Sequence, residues 1–140
     1  MRYVCDAPGG ATWFRIETES EAEAETGLMR HAVDKYYRRH DVAARESFRA
    51  PKGAATFEQA IGLKDHIAKA MPLFLTLRAA DGEGLATAML PPEGRNQVNF
   101  TIVIVGPENT DPYEAHEAAI EALAQHFGIE LPREDCYPYA

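Results

Sequence analysis

The chain has 140 residues, of which 46% are hydrophobic and 26% charged. Those proportions belong to soluble globular proteins, and the length suits one domain that folds without a disulfide or a metal. A net charge of −8 argues against a general nucleic-acid binder, which needs lysine and arginine to displace counterions from phosphate.

The charge is unevenly spread. Residues 1–78 hold 12 Lys/Arg against 11 Asp/Glu, whereas residues 79–140 hold 2 against 11. No apolar run reaches the length of a membrane span. The start "MRYVCDAPGG" has no apolar segment after Arg2, so a cytoplasmic protein with a native terminus is expected. Cys5 and Cys136 lie near opposite ends and form no Cys-x-x-Cys, which reads as two buried thiols or as one pair that oxidises when the termini meet.

In chain order, "RYVC" and "TWFRIE" are two strands joined by the Pro-Gly-Gly turn of "DAPGGA". The acidic run Glu17 to Glu25 contains the capping box Ser20-Glu21-Ala22-Glu23, so one long helix is expected over about 20–48. Its second part, "MRHAVDKYYRRHDVAARESFR", interleaves bases with aromatic residues, which raises nucleic-acid binding. Met29, Ala32, Val33, Tyr36, His40, Ala44 and Phe48 nevertheless fall on one apolar stripe. Asp34–Arg38 and Asp41–Arg45 have the favourable i,i+4 order, so the charged face is expected to be solvated. A phosphate or protein contact through Lys35, Arg38 and Arg39 is the rival reading.

A second helix is expected from Phe57 to Ala70, stopped by Pro72. Three strands follow at 73–79, 84–90 and 97–105, joined by short turns as an antiparallel meander. "NTDPYEAHEAAIEALAQHFG" is a helix capped by Asp111 and ended by Gly128, and 129–131 form a short final strand. The order ββααβββα, with three helices and about five strands, defines an α+β two-layer domain.

This order resembles the N-terminal part of the acetyl-CoA-dependent N-acetyltransferases. Members of that superfamily cradle pyrophosphate on a glycine-rich loop before a helix. The corresponding loop here, "VGPENTDP", has one glycine, two prolines and two acids and no base. The resemblance is topological, and topology carries no function.

Candidate sites follow from these elements. None of His31, His40, His66, His116 and His126 forms a metal motif, so neither a metal nor a cofactor is expected. Cys136 with His116 or His126 is the candidate nucleophile and base, though no local signature supports it. A two-layer domain leaves one sheet face open, with side chains alternating between faces. Phe14, Ile16, Leu73, Leu75 and Leu77 are assigned inward. Trp13, Arg15, Phe74, Thr76, Arg78, Asn99 and Thr101 then lie on the outer face, beside Val103 and Val105.

Such a patch marks an interface or a ligand site unless the tail or a helix covers it. The expected occupants are a second copy in a homodimer, a protein partner, or a small anionic ligand held by Arg15 and Arg78. The function read from the sequence is therefore a small binding domain. A cofactor-independent enzyme using Cys136, and an acidic protein docking on a basic partner, are the alternatives.

Overall fold

The computed structural model describes residues 1–139. Five strands form one antiparallel sheet in sequence order: β1 (Arg2–Asp6), β2 (Thr12–Ile16), β3 (Leu73–Arg78), β4 (Gly84–Leu90) and β5 (Val103–Val105). The helices are α1 (Glu19–Met29), α2 (Val33–Ser47), α3 (Thr56–Ala70) and α4 (Tyr113–Phe127). No helix is long and apolar enough to cross a membrane. The α+β class is as expected, with four helices rather than three.

The expected long first helix is two helices. Arg30 adopts the left-handed conformation (φ 56°, ψ 52°) and ends α1, and α2 begins at Val33. The capping box also sits two residues earlier than expected. Thr18 Oγ1 accepts from the Glu21 N–H at 3.1 Å, while Glu21 accepts from the Glu17 N–H at 2.8 Å. The break between the two helices takes Tyr36 off the expected apolar stripe and puts Tyr37 there instead. Tyr37 is buried, donates its hydroxyl to the Glu17 carbonyl at 2.8 Å and packs 5.2 Å from Phe74, whereas Tyr36 is exposed.

Both sheet faces are covered, which corrects the two-layer expectation. α4 and the tail pack with Trp13, Leu75, Leu77, Leu90 and Ile104 in one apolar cluster. On the opposite face, Ile16 and Phe74 pack with Ala22 of α1 and with Val33, Tyr37 and Ala44 of α2. The cause is visible in β3. Leu73 through Leu77 are all buried, so neither face of this strand is left for solvent.

Three smaller corrections follow. Trp13 pairs with Leu77 across the sheet, so β2 has the opposite phase to that expected. Both alternating sets of "TWFRI" carry large apolar residues, and only the cross-strand register decides between them. The strand expected over 97–105 is confined to Val103–Val105; Asn99 has φ 67°, and Val98 is 91% exposed. Residues 129–131 form no strand, and the tail instead meets β5 through a single parallel bridge, Val103 to Tyr137.

Gly84 starts β4 where α1 presses on the sheet. A Cβ there would lie 2.4 Å from Met29 Sδ, so the close approach needs glycine.

Candidate functional site

The face under α1 and α2 carries a buried polar chain. Ala22, Glu25 and Met29 form the inward stripe of α1, which drives Glu25 into the sheet with no exposed surface. Arg78 meets it at 2.6 Å, and Arg78 Nε also donates to Thr76 Oγ1 at 3.0 Å. Thr87 Oγ1 donates to Glu25 Oε2 at 2.6 Å, and His31 Nε2 lies 2.8 Å from the same hydroxyl.

The direction of these bonds is fixed by proton count. A carboxylate only accepts, and Thr87 has one proton, already given to Glu25. Thr87 therefore accepts from His31 Nε2–H. That leaves Nδ1 with its lone pair, which accepts from the Val33 N–H at 3.4 Å, at the start of α2. Burial lowers the His31 pKa, with Glu25 acting in the opposite sense, so its neutral ring is the one that fits. The chain thus ties the α1–α2 turn to the sheet. Thr87 is buried and its proton is committed to Glu25, so it is no nucleophile.

Beside this chain lies a cavity of about 660 Å³. Its floor includes the half-buried Met89 and Val103, with the buried Phe74 and Val105 beside them. His31, Tyr36, Arg39 and His40 form one wall; Thr101, Asn109 and Tyr137 form the other. The His40 ring lies 6.1 Å from that of Phe74, tilted by 58°, and burial followed by the neighbouring Arg39 lowers its pKa. The Arg39 guanidinium lies 5.5 Å over the Tyr36 ring.

The structure divides the residues singled out from sequence. Phe74 and Thr101 line the cavity. Thr76 and Arg78 share the Phe74 face but are engaged with each other and with Glu25. Trp13 is fully buried on the other face, where its Nε1–H donates to the Ala119 carbonyl at 2.8 Å. Arg15 is half-buried opposite Arg2, and burial followed by Arg2 lowers its pKa. Asn99 lies in the exposed segment before β5. These residues therefore do not form one open patch, and Arg15 and Arg78 do not form an anion fork.

Cys136 is also fully buried, in the α4 cluster, and burial raises its thiol pKa although a Tyr113 hydrogen bond opposes this. That is the reverse of an activated nucleophile. His116 sits at a distorted turn of α4 (φ −130°, ψ 25°), and no hydrogen bond joins it to Cys136 among the described residues. Both cysteines are free. Among the described residues no cluster of three potential metal ligands occurs.

The loop before α4 does not form an anion cradle. Gly106 N–H and Thr110 Oγ1 bond within the loop, and Glu108 extends to Arg30 at 2.8 Å. A second, more open groove of about 780 Å³ runs along α4 and the tail, walled by Asp111, Glu114, Glu117, Glu121, Glu130 and Glu134. Its apolar floor, Ile120, Ala124 and Leu131, is already packed into the core.

Sequence reasoning missed the bonded group Glu25, Thr87 and His31 and the cavity itself, although Thr101 and Arg39 of its lining were singled out. One signal was present: Glu25 falls between Ala22 and Met29 on an apolar stripe, where an acid needs a buried partner. Comparison of the chain with family models, with curated proteins and with solved structures finds no match in any of the three.

Proposed function

We propose that this protein is a binding domain whose ligand is a small molecule held in the cavity between α2, β4 and β5. The observation that carries this reading is the composition of the walls. A cavity of about 660 Å³ has an apolar floor, a few polar groups in its walls and no carboxylate among its lining residues. Volume and lining match those of small-molecule sites, which are mostly apolar with a few placed polar groups. The binding role expected from sequence is kept, while its place moves from an open sheet face to this partly roofed part of the same sheet.

The test is a thermal-shift screen of small molecules against the protein and against Val103→Trp, which fills the floor from the edge strand. Compounds that raise the melting temperature of the native protein are expected to lose that effect in the variant. Equal shifts in both proteins, or no shift from any compound, would remove this reading.

A second reading keeps the acidic groove as a docking surface for a basic partner, because six carboxylates line it against Arg133 alone. Arg133 is itself paired with Asp111 at 2.7 Å. Such association weakens steeply with salt, whereas ligand binding in the apolar cavity changes little.

A further inference from the structure

We propose that the ligand of this cavity is a monoanion built on a flat aromatic ring, with its ring on the Met89–Val103 floor and its acid at Arg39. This rests on the cavity being a binding site, as above, and adds the ligand's charge and shape.

The charge follows from the pairing of α2. Arg38 pairs with Asp34 at 3.1 Å, and Arg45 with Asp41 at 3.0 Å. Arg39 has no ion-pair partner among the described residues, and it is the one arginine or lysine lining the cavity. The acids beyond the lining are already paired: Glu25, bonded to the lining Thr87, with Arg78 at 2.6 Å, and Glu108 with Arg30 at 2.8 Å. The two histidines add no fixed charge, because burial favours their neutral rings. A ligand cation would find no counter-charge here, and an anion finds one guanidinium already oriented over Tyr36.

The flat shape follows from the walls. Tyr36, His31, His40 and Tyr137 bring rings to the lining beside the buried Phe74, and Met89 adds a polarisable thioether to the floor. Rings and sulfur favour stacked or edge contacts with another ring over a flexible chain.

The test is calorimetric titration with four probes: naphthoate, naphthylmethanol, naphthylmethylammonium and decanoate. Naphthoate is expected to bind at least about ten-fold more tightly than naphthylmethylammonium, the scale of one charge-assisted hydrogen bond, and more tightly than decanoate, which keeps the charge but lacks the ring. Arg39→Gln is expected to lose about ten-fold for naphthoate and to leave naphthylmethanol unchanged. Val103→Trp is expected to weaken all the ring-bearing probes.

Cation and anion binding equally well, or an undiminished anion preference in Arg39→Gln, would overturn the proposed charge and leave the cavity standing as a site. Decanoate binding as tightly as naphthoate would overturn the flat ring. Failure of all four probes, or equal binding by Val103→Trp, would overturn the site itself and the ligand class with it.

Discussion

The two faces of one sheet are stabilised in different ways. Under α4, the contact is apolar throughout: Trp13, Leu75, Leu77, Leu90 and Ile104 meet Ile120 and Leu123. Its one side-chain anchor at the sheet is the Trp13 bond to the Ala119 carbonyl. Under α1 and α2, apolar packing stops partway. The buried Glu25 joins Arg78 and Thr87, and the cavity opens beside them. The first face holds the fold together. The second accepts the cost of desolvating charged groups, and it leaves space there. A well-packed surface has no room for a ligand, so function is sought where packing is incomplete.

The largest expected effect separates these two kinds of contact. Glu25→Ala leaves the Arg78 guanidinium unpaired in a mostly buried place, and about 3–5 kcal/mol of stability should be lost. Replacing both partners by apolar residues, Glu25→Leu with Arg78→Met, should recover most of that loss, because desolvation then no longer opposes burial. Urea unfolding of the two variants checks this, and a double variant no better than the single one would contradict it. Leu75→Ala on the other face should cost about 2–5 kcal/mol through the cavity it leaves. No second substitution on a polar partner can offset that cost, since the face has no such partner to remove.

A smaller effect is expected from pH. Burial lowers the pKa of His31 and of His40, both on the cavity face. Above the ordinary histidine pKa of about 6.5, folded and unfolded chains are equally unprotonated there. As pH falls below it, the unfolded chain takes up protons that the folded rings resist, so stability declines until the lowered folded pKa values are passed. Urea midpoints between pH 8 and about 5 should show this decline, and a His31→Gln, His40→Gln double variant should flatten it. Loss of stability from the carboxylates falls at lower pH: Arg2 holds Glu17 below its usual range, so its contribution disappears only as pH drops through that lowered value.

Four of the five sheet strands, the α3 and α4 helices and the two i,i+4 pairs were legible because each depends on neighbours in sequence, whereas the run 97–105 is a strand only over Val103–Val105. "GLATAML" is bounded by turns, and α4 is marked at its start by Asp111, whose Oδ1 accepts from the Tyr113 N–H at 2.9 Å, and closed by a left-handed Gly128 (φ 68°). The faces were harder. In β3, Phe74, Thr76 and Arg78 share a face as expected, but β2 is apolar on both sides, and its phase depends on pairing with a strand more than 50 residues away. Most of the site was not legible for the same reason. The distances from Glu25 to Arg78 and Thr87 span 53 and 62 residues of sequence, respectively. The α1–α2 break was hidden because Arg30 is an arginine in a conformation that more often marks itself with glycine or asparagine.

The smallest predicted effect decides what the basic helix is for. Arg38 pairs with Asp34 at 3.1 Å and lies 3.6 Å from Glu19 and Glu23 of α1. It is 43% exposed, so the pair is screened, and Arg38→Ala should cost about 0.3–0.5 kcal/mol, less at high salt. Three nearby carboxylates also mean that Arg38 presents little free positive charge to a phosphate. Lys35 and Arg39 are differently placed: neither has an ion-pair partner among the described residues, and Arg39 points its charge over Tyr36 toward the cavity. If the helix served a polyanion, Lys35, Arg38 and Arg39 would act together, and each alanine variant would weaken binding and reduce its salt dependence alike. With the helix as a solvated face and a cavity wall, Arg38→Ala and Lys35→Ala should change neither ligand binding nor heparin retention, while Arg39→Gln alone alters the cavity's preference for anions.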